Sequence, residues 1–254
     1  MKSLKDHSQK LEYIALCMLE RLLTIVPRRV SLAIGAFAGS VLYRIGIRKK
    51  IALLNMNHVG YWTPQEQEVI LKKLYRNIGR YGAEFLRAPL PPPPYEIHNF
   101  ETITRLHNRG KGVIALVAHF GNWELLARIF GKALGDLNVM AKPMRNKAVN
   151  EWLAQKRELA SVTTIYTSNA LRKIYEVIKR NGVMAVLIDQ YVGNQGTLVP
   201  FLGKRANTAR TVAGIQYKTG CSIMPTYAIM KEDGRYEVMI QEAPACQPTQ
   251  PSLF

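Results

Sequence analysis

The sequence predicts an α/β protein whose mainly parallel sheet is flanked by helices, with a hydrophobic helical region at its N-terminus. Three observations predict it. Short apolar runs rich in β-branched residues recur from residue 113 onward, segments of helical length separate them, and two long apolar stretches precede position 48. Alternating strands and helices bury a parallel sheet on both faces. In such sheets function gathers at the carboxyl ends of the strands.

Leu11 to Val26 is mostly apolar, interrupted by Glu12, Glu20 and Arg21 and closed by Pro27. Val30 to Ile47 is longer and carries Arg44 as its only charge, with Arg48, Lys49 and Lys50 directly after it. Crossing a bilayer as a helix takes about 20 apolar residues, so neither stretch is an unambiguous span. Gly35 and Gly39 form G-x-x-x-G, a spacing that permits close helix packing in membranes and equally in buried soluble helices. The basic triplet favours contact with an anionic membrane surface, the alternative being a solvated helix end. No cleavable signal peptide is recognisable.

Gln65 to Arg87 has helical periodicity, with an apolar stripe through Val69, Ile70, Leu74, Ile78, Tyr81 and Phe85. Pro89 to Pro94 reads PLPPPP and must leave the helix as a stiff polyproline segment, which suits a rigid connector to the core and, alternatively, a proline-recognition ligand. The expected organisation is therefore 1–50 as hydrophobic membrane-associating helices, 51–95 as a helical segment with its proline connector, and 96–254 as the core.

Within the core, strands are expected at Val113 to Ala118, Leu137 to Ala141, Val162 to Tyr166, Val183 to Ile188, Ser222 to Met230 and Tyr236 to Gln241. Helices are expected near Asn122 to Ala133, Asn146 to Ala160, Asn169 to Arg180 and Thr208 to Thr219.

The stretch GVIALVAHFGNWE at 112–124 concentrates the chemistry. His119 stands where a buried strand ends, Phe120 and Gly121 turn the chain, and Asn122 suits a helix N-cap. Glu124 then falls in the first turn of the next helix. A strand, a tight turn and a helix start can bring His119 and Glu124 together, and an imidazole held by a carboxylate is a general base. The same residues also suit a strand-end histidine beside an acid that complements the helix dipole. Asp189 ends another apolar run, where it either serves a site or opens a turn. Arg157 lies late in a helix, where it is a site residue or a solvated charge.

Composition narrows the functional classes. Lys and Arg number 35 against 18 Asp and Glu, a formal charge of +17 that calls for an anionic partner. The basic residues are scattered along helices without aromatic interleaving, which argues against nucleic acid. Cys17, Cys221 and Cys246 lie far apart, and the five histidines show no H-x-x-H or H-E-x-x-H spacing. A disulfide framework and a metal centre are therefore not expected. Nor is there a G-x-S-x-G elbow, a Walker loop or a G-x-G-x-x-G turn.

An ordered set of segments resembles the lysophospholipid acyltransferase superfamily, in its lipid A biosynthesis (lauroyl/myristoyl) acyltransferase branch. HFGNWE at 119–124 stands as the H-x-x-x-x-[DE] motif, followed by KPMRN at 142–146, Arg157, IDQ at 188–190, VPFLGKRANTA at 199–209 and TGCSIMPTYAI at 219–229. The resemblance covers about residues 11 to 242. It implies transfer of a fatty acyl chain from acyl carrier protein to a hydroxyl of a lipid A precursor at the cytoplasmic face of the bacterial inner membrane, without cofactor or metal.

It also implies roles for particular residues. His119 matches the catalytic histidine and Glu124 its paired acid, while Arg157 and Asp189 match supporting polar positions. Phe201 and Gly203 match a loop near the active site. Asn122, Lys142, Arg145 and Gln190, from the same segments, are the remaining candidates for substrate binding. Other glycolipids or phospholipids as acceptors, acyl-CoA as donor, and an inactive basic membrane-surface protein are the alternatives. The family's usual C-terminal segment is rich in Trp, His and Arg. This chain ends instead in QPTQPSLF, so its C-terminal part is expected to be truncated or divergent.

Overall fold

The computed structural model describes residues 2–166, 170–190, 193 and 196–243. The helices are α1 (Lys2–Ile25), α2 (Arg28–Ile45), α3 (Lys49–Val59), α4 (Pro64–Leu86), α5 (Glu101–His107), α6 (Trp123–Leu134), α7 (Lys147–Glu158), α8 (Ala170–Lys179) and α9 (Thr211–Thr219). The strands are β1 (Tyr95–His98), β2 (Val113–Val117), β3 (Leu137–Ala141), β4 (Val162–Tyr166), β5 (Val183–Leu187), β6 (Thr197–Phe201), β7 (Lys204–Thr208), β8 (Ser222–Met230) and β9 (Tyr236–Ile240).

Seven strands form one sheet in the order β1-β9-β8-β2-β5-β3-β4, and β6 and β7 form a separate hairpin. Strands β8, β2, β5, β3 and β4 run parallel. β9 turns back antiparallel to β8 and carries β1 parallel to itself. The expected mainly parallel sheet is present, with a reversed edge that periodicity alone does not reveal.

The apolar runs read as doubly buried strands because both faces are covered. Val113, Ala115 and Val117 pack in a core with Leu125, Leu126, Ile129 and Phe130 of α6. Ile114, with Met184 and Val186, packs in a second core with Ile174 and Ile178 of α8 and Val212 and Ile215 of α9. Successive residues of one strand therefore serve opposite layers.

The N-terminal helices form a brace on the α6 side. Gly35 and Gly39 of α2 lie directly on the backbone of α4: an added Cβ would come within 2.4 Å of the Gly79 carbonyl oxygen and 2.0 Å of that of Tyr75. The G-x-x-x-G spacing thus serves helix packing within this chain. α1 is fixed to α7, where Trp152 Nε1 donates to Glu20 at 2.7 Å and Lys156 pairs with the same carboxylate at 2.5 Å.

The expected hydrophobic N-terminal region is helical, but α1 is amphipathic rather than apolar throughout. Among the described residues no single helix is long and apolar enough to cross a membrane; α2 and α3 meet that test only together, across an 83° bend. Lys49 already opens α3, and Tyr95 already belongs to the sheet. Between α4 and β1 the proline segment is pinned by Arg128 of α6, whose guanidinium donates to the carbonyls of Ala88 and Leu90, each at 2.9 Å.

Candidate active site

Register explains which groups meet at the top of the sheet. Val117 of β2 pairs with Leu187 of β5. His119 and Asp189 each stand two residues further on, so neighbouring strands deliver them side by side. Asp189 accepts from the ring Nδ1 of His119 at 2.8 Å through one oxygen and from the His119 backbone N–H at 2.8 Å through the other. Gln190 Nε2 lies 3.2 Å from the opposite ring nitrogen, Nε2.

That bonding pattern assigns a neutral imidazole with its proton on Nδ1 and a lone pair on Nε2, since an amide NH₂ donates and a carboxylate accepts. Trp123 packs edge-on against the ring, with centroids 5.0 Å apart.

The expected hydrogen bond between His119 and Glu124 is replaced by this pairing. Glu124, in the first turn of α6, turns toward α7 and receives both prongs of Arg157, Nη2 at 2.6 Å and Nε at 3.2 Å. Both partners are largely buried, with side-chain exposures of 11% for Arg157 and 21% for Glu124. Two parallel charge-assisted bonds out of water hold the guanidinium in a fixed plane. The helix start aims Glu124 at the neighbouring helix, while the strand register had already filled the place beside His119.

The turn between them is set by Gly121. Its φ is +61°, and a Cβ there would lie 2.0 Å from the Ala228 carbonyl oxygen of β8. The same carbonyl accepts from the Asn122 N–H at 2.8 Å. Asn122 was expected to bind substrate, but its amide is spent within the fold. It accepts from the Leu125 N–H at 3.1 Å as the α6 N-cap and donates to the Tyr236 hydroxyl at 3.1 Å. Burial pushes the Tyr236 phenol well up from its usual value, so it stays protonated.

His119, Trp123, Glu124, Lys142, Arg157 and Gln190 ring the mouth of a cavity of about 510 Å³. Below the mouth it descends between α6 and the sheet, past Ala115, Ala185 and Ala127 to Phe130 and Leu137. Ala115 and Ala185 are register partners, and Val139 pairs with Ala185 on its other side. Two methyl groups side by side thus leave a slot under the helix where larger side chains would close the core.

The remaining candidates fall outside the slot. Arg145 is exposed and its carbonyl accepts from Gln9 at 3.5 Å. Phe201 and Gly203 sit at the far turn of the β6–β7 hairpin, Phe201 being 63% exposed. The other end of that hairpin leads into Ala209 and Thr211, which do line the cavity. Sequence reasoning missed these two, and it missed Trp123, which was visible inside HFGNWE itself. Among the described residues no group of three His, Cys, Asp or Glu could hold a metal ion.

The family model for bacterial lipid A biosynthesis acyltransferases matches residues 1–252. The chain belongs to that family. It is thus an acyltransferase of lipid A biosynthesis. No curated protein matches the chain in a sequence search.

Proposed function

We propose that this acyltransferase moves a fatty acyl chain from acyl carrier protein to a hydroxyl of a lipid A precursor, working at the cytoplasmic face of the bacterial inner membrane. The observation that carries the reading is the apolar slot that has His119 among the residues at its mouth. A fatty chain in the slot brings its thioester carbonyl to the polar rim, where the base stands.

The chemistry follows from the assigned tautomer. An alkyl hydroxyl is a poor nucleophile near neutral pH, so Nε2 takes its proton as the oxygen attacks the thioester carbonyl. Gln190 gives way to that hydroxyl. Asp189 holds the ring and stabilises the imidazolium that forms. Charge on the tetrahedral oxyanion is met by Arg157, itself held by Glu124, and by the N–H groups of Trp123 and Glu124 at the start of α6. Collapse of the intermediate expels the thiolate, which takes the proton back from Nε2. In this scheme Glu124 acts through Arg157, and Asp189 is the orienting acid.

Two further features support the setting. α1 presents an uncovered apolar stripe of Leu11, Ile14, Met18, Leu22 and Ile25, at exposures from 38% to 73%. The formal charge of +17 suits an anionic surface. A stripe of this kind lies in the plane of a membrane interface with its apolar side down.

The test is acyl transfer in detergent micelles from acyl carrier protein to a lipid A precursor, comparing the wild type with a folded His119→Ala variant. Transfer that vanishes in the variant supports the assignment. A variant that keeps full activity, or a wild type that uses only acyl-CoA or another acceptor, overturns it.

A further inference from the structure

A second site lies on the β8 flank of the same end of the sheet. α2, α4 and the turn joining β8 to β9 enclose a groove of about 850 Å³. Ala33, Ala36 and Ser40 line it with small side chains, so its character comes from the longer ones. Arg29 on one wall and Lys73, Arg76 and Arg80 on the other supply them at its rim.

These cations are largely uncommitted. Arg28, deeper in the groove, is paired with Glu84 at 2.5 Å, and Lys231 with Glu237 at 3.1 Å. Arg29, Lys73 and Arg76 are exposed and form no ion pair among the described residues. Asp233, on the turn, is already taken by Arg235 at 2.6 Å. Glu232 also lies on the rim and leaves the excess strongly positive.

The arrangement of the charges selects among anions. Lys73, Arg76 and Arg80 recur at i, i+3 and i+7 on α4, so they are strung along roughly 10 Å of helix, at 1.5 Å per residue. Spread over two turns of helix, they offer charge along a line. Carboxylates repeating every turn of a partner helix match that spacing, and Phe37, 68% exposed on the opposite wall, offers an apolar contact beside them.

The groove is also joined to the catalytic loop. The strand that ends in the groove's turn meets Gly121 at Ala228, and Tyr227 packs edge-on to Phe120, with centroids 5.6 Å apart. Phe120 directly follows His119. A protein seated in the groove therefore lies beside the mouth of the slot.

We infer that the α2–α4 groove docks an acidic helix of the protein that carries the acyl thioester. This rests on the acyl-carrier reading given above and adds where the carrier sits.

The experiment uses the full chain with Arg29→Glu, Lys73→Glu and Arg76→Glu combined, and Lys73→Glu alone as a milder variant, each checked by circular dichroism. Transfer is measured with acyl carrier protein as donor and with an acyl-pantetheine thioester that lacks the protein. Binding of acyl carrier protein and of phosphatidylglycerol/phosphatidylcholine vesicles is measured over a range of salt. Docking predicts that the triple variant's KM for the carrier donor rises about tenfold or more, with kcat nearly kept and acyl-pantetheine turnover unchanged. It also predicts wild-type carrier binding that weakens with salt.

An unchanged KM overturns the inference while leaving the acyl-carrier reading intact. So does an equal loss with both donors. Loss of vesicle binding alone assigns the groove to an anionic lipid instead. A wild type that binds the carrier through these residues yet transfers nothing overturns the functional reading and sustains the docking site.

Discussion

Replacing Ala127 by leucine tests whether the acyl chain descends into the slot. Ala127 lines the cavity on the α6 side, opposite Ala115 and Ala185. Leucine adds three carbons to a space that is open, so it excludes about three methylenes of a chain that would otherwise reach Phe130. Each buried methylene contributes about 0.8 kcal/mol, so the longest donors lose about 2.4 kcal/mol of binding carried into the transition state. At 1.36 kcal/mol per tenfold, that is about a 60-fold fall in kcat/KM for them. Donors about three carbons shorter should keep wild-type values. The assay is kcat/KM across a ladder of acyl donors of increasing length, with thermal unfolding as the control for folding. An equal fall for every donor, or no change for any, would refute the placement of the chain between α6 and the sheet.

Other expectations follow from the same geometry. In Asp189→Asn one amide oxygen can still take the backbone N–H, but the NH₂ then faces Nδ1 and forces the proton onto Nε2. kcat should fall by about 10² to 10⁴ with the fold intact, and an active variant would mean that this pairing does not set the tautomer. Gly121→Ala combines a positive φ with a clash on the Ala228 carbonyl, so denaturant unfolding should show a loss of about 2–4 kcal/mol together with lost turnover. Arg128→Met should destabilise by about 2–4 kcal/mol, because two carbonyls of the proline connector lose a charged donor; unchanged stability would show that water replaces it. Burial pushes the Cys221 thiol up, so less thiolate is present at mildly alkaline pH and alkylation should be slow until the chain is unfolded in urea. Rapid native labelling, mapped by mass spectrometry, would contradict that burial.

The core strands and helices were legible because each is local. Period and punctuation place Val113–Val117 or Trp123–Leu134 without knowledge of their neighbours. The strand ends were legible for the same reason, and with them His119 and Asp189. What could not be read is pairing. Whether His119 meets Glu124, five residues away, or Asp189, seventy residues away, depends on β2 and β5 being adjacent, and nothing local records that. A usable signal did exist: both residues lie just beyond apolar runs of similar length, as neighbours in register must. β1 was missed because four residues, Tyr95–His98, carry too little alternation to register. The β6–β7 hairpin was missed because β6 is apolar on both faces yet exposed, with Leu198 and Phe201 in the open, and its Pro200 speaks against a strand.

The central position of β2 has a consequence for how the protein is made. Val113 pairs with Val183 on one side and with Ser222 on the other. The strand that delivers His119 therefore waits for partners synthesised far behind it, and a high separation of contacts slows folding. Until residues near 222 emerge, one edge of an apolar strand has no neighbour, and such an edge templates association with other chains. The strand that leads to His119 is thus also the segment most in need of shelter during synthesis. A nascent chain stalled between β5 and β8 should be the species that aggregates or recruits a chaperone, and chains released after β9 should not.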